Sequence, residues 1–461
     1  MRSTQPSRPS RRRFLQRATV AALAPMIVRP SAVLRAADGT PPPSERITLG
    51  FIGVGKQATG HLSAFVRRKD VSVLAVCDVQ EIRRTLAKEI VDKATSGGLT
   101  KPTDPDANPN GDNPSAGSSA AIASGAVGTP PNSTQYYKDL RELLERKEID
   151  AVVIATPDHW HATAAVLACK AGKDVYCEKP LTLTLREGRQ VVDTARRYGR
   201  VFQVGSQQRS SKDFRFACEM VRSGRIGKLK TVAVNVGGPP VECDLPFETV
   251  RQGVDWDMWL GPAPQRPFSS VLCPLPNFDG WPQWRHYRDF SNGDLADMGA
   301  HHFDIAQWGM GTDDTGPVEI LPPRGLTRMY LTMRYANGVE LFHTNTGASI
   351  TFRGTAGTIE VGRGYLRSDP GGIMKTPTLP NETHLYQSPG HHEDWIRAIR
   401  ARRDPICPPE IGAHSAAVCQ IANTCYWLNR PLKWDSVKEE FIGDEEANRW
   451  LDRPKRGPWV L

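Results

Sequence analysis

The sequence has no hydrophobic run long enough to cross a bilayer. The longest apolar stretch near its start, Ala18 to Val28, is eleven residues, against the roughly 20 that a spanning helix needs. It has no C-x-x-C pair and no H-E-x-x-H, and its nine cysteines are scattered and odd in number. No metal site is therefore expected, and full pairing of the cysteines within one chain is excluded. A disulfide among Cys243, Cys273 and Cys407 remains open. Acid is missing from the first 37 residues, which hold eight arginines. The net charge of +9 falls to +1 once those eight are set aside, which removes the case for a nucleic-acid partner. Aromatics are missing from 95–134, where Gly, Pro, Ser, Asn and Asp dominate. That composition is too polar to pack, and it marks a surface insertion or a disordered loop.

The remainder is a globular mix. With 461 residues, 39% hydrophobic and 24% charged, the chain is long enough for two or three domains. Ser10-Arg11-Arg12-Arg13-Phe14-Leu15-Gln16, the short apolar stretch and the small residues after it form a leader over 1–37. The paired arginines followed by Phe-Leu match a twin-arginine signal, which exports folded proteins. The leader implies contact with the twin-arginine export machinery, cleavage near Ala36 or Ala37, and a periplasmic or other extracytoplasmic site.

Apolar strands alternate with helices through the first half: strands at 47–52, 71–77, 151–155, 174–177 and 201–204, and helices near 58–68, 80–94, 136–146, 160–171 and 185–198. This is the pattern of an α/β fold with a doubly wound parallel sheet. Beyond about 210 the spacing changes. A strand spans 228–236, and two more flank Asn337-Gly338, a hairpin signal. Further strands lie at 349–353 and 358–361, with helices at 391–402 and 412–428. The expected architecture is an N-terminal Rossmann domain over 46–180 and a C-terminal α+β domain over 181–435. The second domain has an open, largely antiparallel sheet, and 436–461 forms a tail.

Gly53-Val54-Gly55-Lys56-Gln57-Ala58 follows the first strand and opens a helix. The first glycine permits the turn, the second lets backbone approach a pyrophosphate, and the small third residue allows close packing. The helix start offers amides to phosphate. Asp78 ends the second strand, where a carboxylate binds a ribose 2′-hydroxyl and repels a 2′-phosphate. NAD is thus favoured over NADP. Glu178-Lys179-Pro180 follows the strand 174–177, at the edge where such sheets bind ligands. An ammonium there stabilises a developing alkoxide. Asp297-Met298-Gly299-Ala300-His301-His302-Phe303-Asp304 reads as one helix ending at Gly309. In it Asp297 and His301 share a face, with Asp304 close to the same side. A carboxylate that orients an imidazole suits proton abstraction from a hydroxyl. His302 is turned about 100° away.

With these motifs in place the chain resembles the Gfo/Idh/MocA oxidoreductases. The resemblance covers roughly 46–435 without the insertion. It is carried by GVGKQA, Asp78, ATPDHWHA at 155–162, CEKP at 177–180 and DMGAHHFD at 297–304. It implies NAD(P)-dependent chemistry on sugars, inositols and their derivatives, and a second-domain sheet that builds homodimers or homotetramers. It also implies that Lys179 is the catalytic lysine, and that Asp297 and His301 are the substrate-binding acid and the proton-transfer histidine. Thr156, Pro157 and His161 would border the nicotinamide, Glu178 the cofactor ribose, and Gln207 and Arg209 the substrate. The roles of His159 and Trp160 are not fixed by the motif. Trp256, Trp259, Trp281, Trp284 and Trp308 could stack on a sugar or fill a core.

Export leaves little free NAD outside, so the cofactor would travel tightly bound and be regenerated within one site. Three readings follow. One is an oxidoreductase acting on a ring hydroxyl of a saccharide, glycoside or polyol. Another is a redox-neutral glycosidase working by oxidation and elimination. Relatives of that kind lack the EKP lysine, which counts against it. The third is a sensor of sugar or nucleotide without catalysis.

Overall fold

The computed structural model describes residues 41–96, 129–130 and 133–461. The expected leader over 1–37 and most of the expected 95–134 insertion lie outside the described residues.

Six strands form the first sheet: β1 (Ile47–Ile52), β2 (Val71–Cys77), β3 (Gln135–Tyr137), β4 (Ala151–Ile154), β5 (Asp174–Cys177) and β6 (Phe202–Val204). Their order is β3-β2-β1-β4-β5-β6, and every neighbour is parallel. Strands covered by helices on both faces read as unbroken apolar runs; Leu49, Phe51, Val73, Val153 and Tyr176 are fully buried. The strand order reverses between β1 and β4, which opens a crevice at the carboxyl ends. Gly53, Asp78, Thr156 and Glu178 all follow strand ends there.

The expected helix at 136–146 is only partly present. Gln135–Tyr137 pairs with Ala75–Cys77, where β2 offers a free edge and two tyrosines favour the pleat. The helix is then shortened to Leu140–Leu144. Asp139 caps it, its side chain accepting from the Arg141 amide.

The second sheet has nine strands: β7 (Leu229–Asn235), β8 (Glu319–Leu321), β9 (Leu331–Arg334), β10 (Glu340–Thr344), β11 (Ile350–Gly354), β12 (Thr358–Gly362), β13 (Tyr365–Asp369), β14 (Leu432–Asp435) and β15 (Glu440–Phe441). The order is β13-β12-β11-β7-β10-β9-β8-β14-β15. Only β7 and β10 pair in parallel, so the sheet is mostly antiparallel, as its alternating pattern requires. The hairpin at Asn337-Gly338 forms, with Gly338 at φ +81° and the Val339 amide bound to the Asn337 side chain. One face packs on the helices Lys212–Arg222 and Gly299–Met310 through Val232, Val234, Ile350 and Phe352.

The expected boundaries differ from these sheets. β6 belongs to the first sheet, so that unit runs past residue 180. Residues 436–461 are no loose tail. Phe441 pairs with Trp434 in β14, and Trp459 packs edge-on against Trp160, 4.7 Å between ring centroids. The helix Pro409–Leu428 packs on both Leu185–Arg197 and Gly299–Met310, and so joins the two units. All nine cysteines are free, Cys243, Cys273 and Cys407 among them. Among the described residues no helix is long and apolar enough to cross a membrane, and no group of three or more His, Cys, Asp or Glu is placed to hold a metal.

Candidate functional site

A cavity of about 670 Å³ runs along the carboxyl ends of the first sheet and under the second unit. Gly53, Gly55, Asp78 and Arg83 line one end; Lys179, Asp297 and His301 line the other.

At the first end Gly53 has φ +80°, and a Cβ there would stand 2.9 Å from the Thr156 backbone nitrogen. Only glycine fits. Gly55 caps the helix Lys56–Phe65 without a side-chain bond. A Cβ on it would meet only Arg83, at 3.6 Å, so its cavity side is open. Ala58 is fully buried, as close packing demands. The Asp78 carboxylate accepts from the Val54 amide and the Gln80 amide, each at 2.9 Å. It therefore ties the strand end to the glycine turn and keeps further lone pairs for a hydroxyl. Lys56 and Gln57 line the cavity. The Lys56 ammonium, however, donates to the Gly280 carbonyl at 2.9 Å and lies over Trp281. It bridges to the second unit.

Thr156 and Pro157 lie midway. The Thr156 hydroxyl is buried without a partner among the described residues. A buried orphan hydroxyl on a cavity wall is a site for a ligand's polar group. With the glycine turn and Asp78, it fits a dinucleotide. His161 sits 2.8 Å from the Pro180 carbonyl and 2.9 Å from that of Thr156, so it braces the loops after β4 and β5. Burial lowers its pKa.

Glu178 is buried. One oxygen accepts from His61 at 2.8 Å and from the Gln207 amide at 2.9 Å. Burial works against its charge, but the bond from His61 together with the charges of His61, Lys179 and His161 outweighs it and the pKa is lowered. Gln207 lines the cavity, yet its amide nitrogen serves Glu178.

Lys179 reaches across to the second unit. Its Nζ donates to Asp297 Oδ1 at 2.8 Å and to the Asp297 carbonyl at 2.9 Å. Arg285 lies 3.6 Å from the other carboxylate oxygen. Burial would raise the Asp297 pKa, but these two cations hold it at about 2.

The single helix expected through Asp297–Asp304 is two: Gly293–Asp297 and Gly299–Met310. In an unbroken helix the Asp297 carbonyl would accept the His301 amide. Lys179 takes that carbonyl instead, and the His301 amide turns to Met298 at 3.1 Å. The expected Asp297–His301 hydrogen bond does not form among the described residues. The Asp297 carboxylate serves Lys179 and Arg285. His301 is buried at the cavity wall, its Nδ1 without a partner among the described residues. Burial, then the Lys179 charge, push its pKa well down, so the ring is neutral.

Arg209 does not line the cavity. It is buried in a two-pronged bond to Asp304, with Asp313 on its far side. Asp304 also accepts from Ser415 at 2.7 Å. Both residues hold the core, which corrects the substrate role expected for Arg209. His159 bonds the Trp259 carbonyl, and Trp160 bonds the Met258 carbonyl; both pin the second unit to the first. Trp256 and Trp259 stack in an apolar cluster that includes Trp284, while Trp308 lies in the second unit's core. Trp259, Trp281 and Trp284 also border the cavity.

The motif reading passed over Asp158 and Arg285. Asp158 sits inside ATPDHWHA, one residue after Pro157. Its position just past a strand end was the available signal. Arg285 had none, because its loop carries no pattern.

Residues 112–206 match a model described as the NAD-binding Rossmann fold of an oxidoreductase family, and 241–461 match the C-terminal alpha/beta domain of that family. The chain is 30% identical over 188 residues to an alpha-N-acetylgalactosaminidase of Shewanella oneidensis. That match covers 41% of this chain and 34% of the relative, so the chain spans about a third of the length of the curated relatives it matches. The fold is similar to that of the WlbA dehydrogenase of Bordetella pertussis, solved with NADH and UDP-GlcNAcA: TM-score 0.54, 16% identity, 85% of this chain and 99% of that one. It is also similar to the aldose-aldose oxidoreductase of Caulobacter crescentus, solved with glycerol: TM-score 0.53, 16% identity, 84% and 99%.

Proposed function

We propose, from the premise that this chain belongs to the Gfo/Idh/MocA oxidoreductase family, that it oxidises a ring hydroxyl of a saccharide, glycoside or polyol. The observation that carries this reading is the Lys179–Asp297 ion pair beside a neutral His301, in one cavity with the glycine turn.

The Lys179 ammonium has three N–H groups. Asp297 takes two, and the third is left for a substrate oxygen. Because Asp297 stays ionised, the lysine stays a donor and stabilises the developing oxyanion. His301 is neutral and its Nδ1 is unpartnered, so it can accept the hydroxyl proton at that nitrogen. NAD, when bound, supplies the hydride acceptor. Gly53, Gly55, the amides opening Lys56–Phe65, Asp78 and Thr156 would hold it. The Asp78 carboxylate disfavours a 2′-phosphate, which supports NAD over NADP.

The arginine-rich leader supports an exported enzyme that carries its cofactor with it. A second reading, redox-neutral glycoside cleavage, draws support from the likeness to an alpha-N-acetylgalactosaminidase.

The leader-free protein, denatured and analysed by mass spectrometry, should release close to one NAD(H) per chain. Lys179→Met should keep that nucleotide and lose about 100-fold or more of its sugar-dependent turnover. Wild-type turnover in Lys179→Met would end the assignment.

A further inference from the structure

Between β7 and the helix Gly293–Asp297 the chain leaves the second sheet. Residues 236–292 hold only the short helices Trp256–Leu260 and Gln283–His286. Trp256, Trp259, Phe268, Leu272, Trp284 and Phe290 give this segment a core of its own, apart from that of the second sheet. A satellite cluster of this kind can open as a unit without unfolding its neighbours. The reaction just described gives the segment no task.

It crosses the nucleotide end of the cavity at three places. The first is a backbone seam directly after Asp78. There the Asp255 amide donates to the Val79 carbonyl at 3.1 Å and the Glu81 amide to the Gly253 carbonyl at 2.8 Å. The second is Arg83. Its Nη1 stands 3.6 Å from where a Cβ on Gly55 would be, and its Nη2 donates to the Pro274 carbonyl at 3.4 Å. One guanidinium thus reaches from the glycine turn to the segment. The third is Lys56, which donates to the Gly280 carbonyl and lies 5.4 Å from the centre of the Trp281 ring. Leu272, Cys273, Pro274, Trp281 and Trp284 line the cavity along this crossing.

Trp281 joins the two ends of the cavity. Arg285 lies 4.9 Å from its ring centre and 4.2 Å from that of Trp284. The same guanidinium stands 3.6 Å from the Asp297 carboxylate, whose other oxygen holds Lys179. Two cations therefore share one indole. Lys56 belongs to the glycine turn and Arg285 to the catalytic carboxylate, so contacts run unbroken from one to the other.

We propose that residues 253–285 are a strap that closes over the dinucleotide and is tied down at its far end by Asp297, so that the carboxylate that holds Lys179 also keeps the cofactor from leaving. This rests on the oxidoreductase reading above. Gly55 and Asp78, which would hold the dinucleotide, are the residues that the strap crosses. Release then requires the seam, the Arg83 and Lys56 bonds and the Trp281 stack to open together, and its rate is the rate of strap opening. A bound dinucleotide in turn holds the strap shut by mass action. Because such coupling is reciprocal, freeing Arg285 from Asp297 loosens the cofactor.

In the test, holoenzyme carrying NAD is chased with isotope-labelled NAD, and exchange is followed by native mass spectrometry. Trp281→Leu should speed exchange about tenfold, whereas Trp281→Phe, which keeps a ring face for both cations, should change it by less than about threefold. Asp297→Asn, at the opposite end of the cavity from the glycine turn, should also speed it. A second measurement needs no variant: deuterium uptake by the backbone at 253–285 of the wild type should slow when NAD is added. Exchange at the wild-type rate in Trp281→Leu or in Asp297→Asn overturns the strap and leaves the oxidoreductase reading standing, and so does uptake that NAD does not change. If the wild type neither retains NAD nor takes it up, the oxidoreductase reading fails and the strap fails with it.

Discussion

Arg209 shows how a side chain of the right type near a site can belong to the core. It follows a strand of the Rossmann alternation, and the family resemblance implied a place beside the substrate. The structure buries it to 2% against an Asp304 with no exposure. Removing one partner of a buried ion pair strands the other charge and costs about 3–5 kcal/mol. Arg209→Met should therefore lower the urea midpoint strongly, and Arg209→Met with Asp304→Leu should recover much of the loss. An Arg209→Met protein of full stability that has lost turnover would return the residue to the substrate site. Gly53 makes the opposite case. Its φ of +80° and the 2.9 Å approach of Thr156 leave no space for a methyl group. Gly53→Ala should cost about 1–3 kcal/mol and empty the protein of nucleotide, checked by thermal melting and mass spectrometry of the denatured supernatant.

At the scale of elements, the helix Pro409–Leu428 braces the two halves of the cavity together, beside the links made by Lys56, His159, Trp160 and Lys179. Gly412 lies against β6 so closely that a Cβ would stand 2.4 Å from Val204 Cγ2. Further along the same helix, Gln420 donates to the Thr182 carbonyl just past Lys179, and Asn423 donates to the Asn292 carbonyl just before the helix that carries Asp297. Gly412→Leu should wedge this helix off the sheet, weaken both braces and loosen nucleotide retention. A variant that melts and holds nucleotide like the wild type would show that the bracing is elsewhere. None of this coupling is legible locally. Strand ends were legible, because an apolar run followed by Gly53-Val54-Gly55, by Asp78 or by Glu178-Lys179 places chemistry at a known edge. The break at Met298 was not, since its cause is a lysine 118 residues away in sequence. β3 was hidden because Gln135–Tyr137 forms only against the edge of β2. The residues after 436 look polar enough for a tail, and only the tertiary contacts of Phe441, Leu451 and Trp459 bury them.

Over the whole molecule, the density of buried imidazoles sets the response to acid. Burial lowers the pKa of His159 to about 3 and those of His302 and His391 to about 4, and it also lowers those of His161, His301, His343 and His392. In the unfolded chain each titrates near the usual value of about 6.5. Below that pH the unfolded state binds protons that the folded state refuses, so stability falls as pH falls. Each such histidine adds about 1.4 kcal/mol per pH unit to the slope until its own folded pKa is reached. Asp158 has the opposite sign. Its folded pKa of about 7 lies above its unfolded value of 3.8, so the folded state gains a proton between those limits and acidification stabilises it. Asp304 is raised by burial in the same sense, so two carboxyls act against seven imidazoles, and the histidines win. Unfolding free energy should therefore drop steeply from pH 7 to pH 5, well before ordinary carboxylates protonate. Asp158→Asn removes one of these opposing groups and should steepen the fall by about 1.4 kcal/mol per pH unit. Chemical denaturation across that range measures both slopes. A flat wild-type profile down to pH 5 would mean that the imidazoles are charged in the folded state, and His301 could not then serve as the neutral proton acceptor.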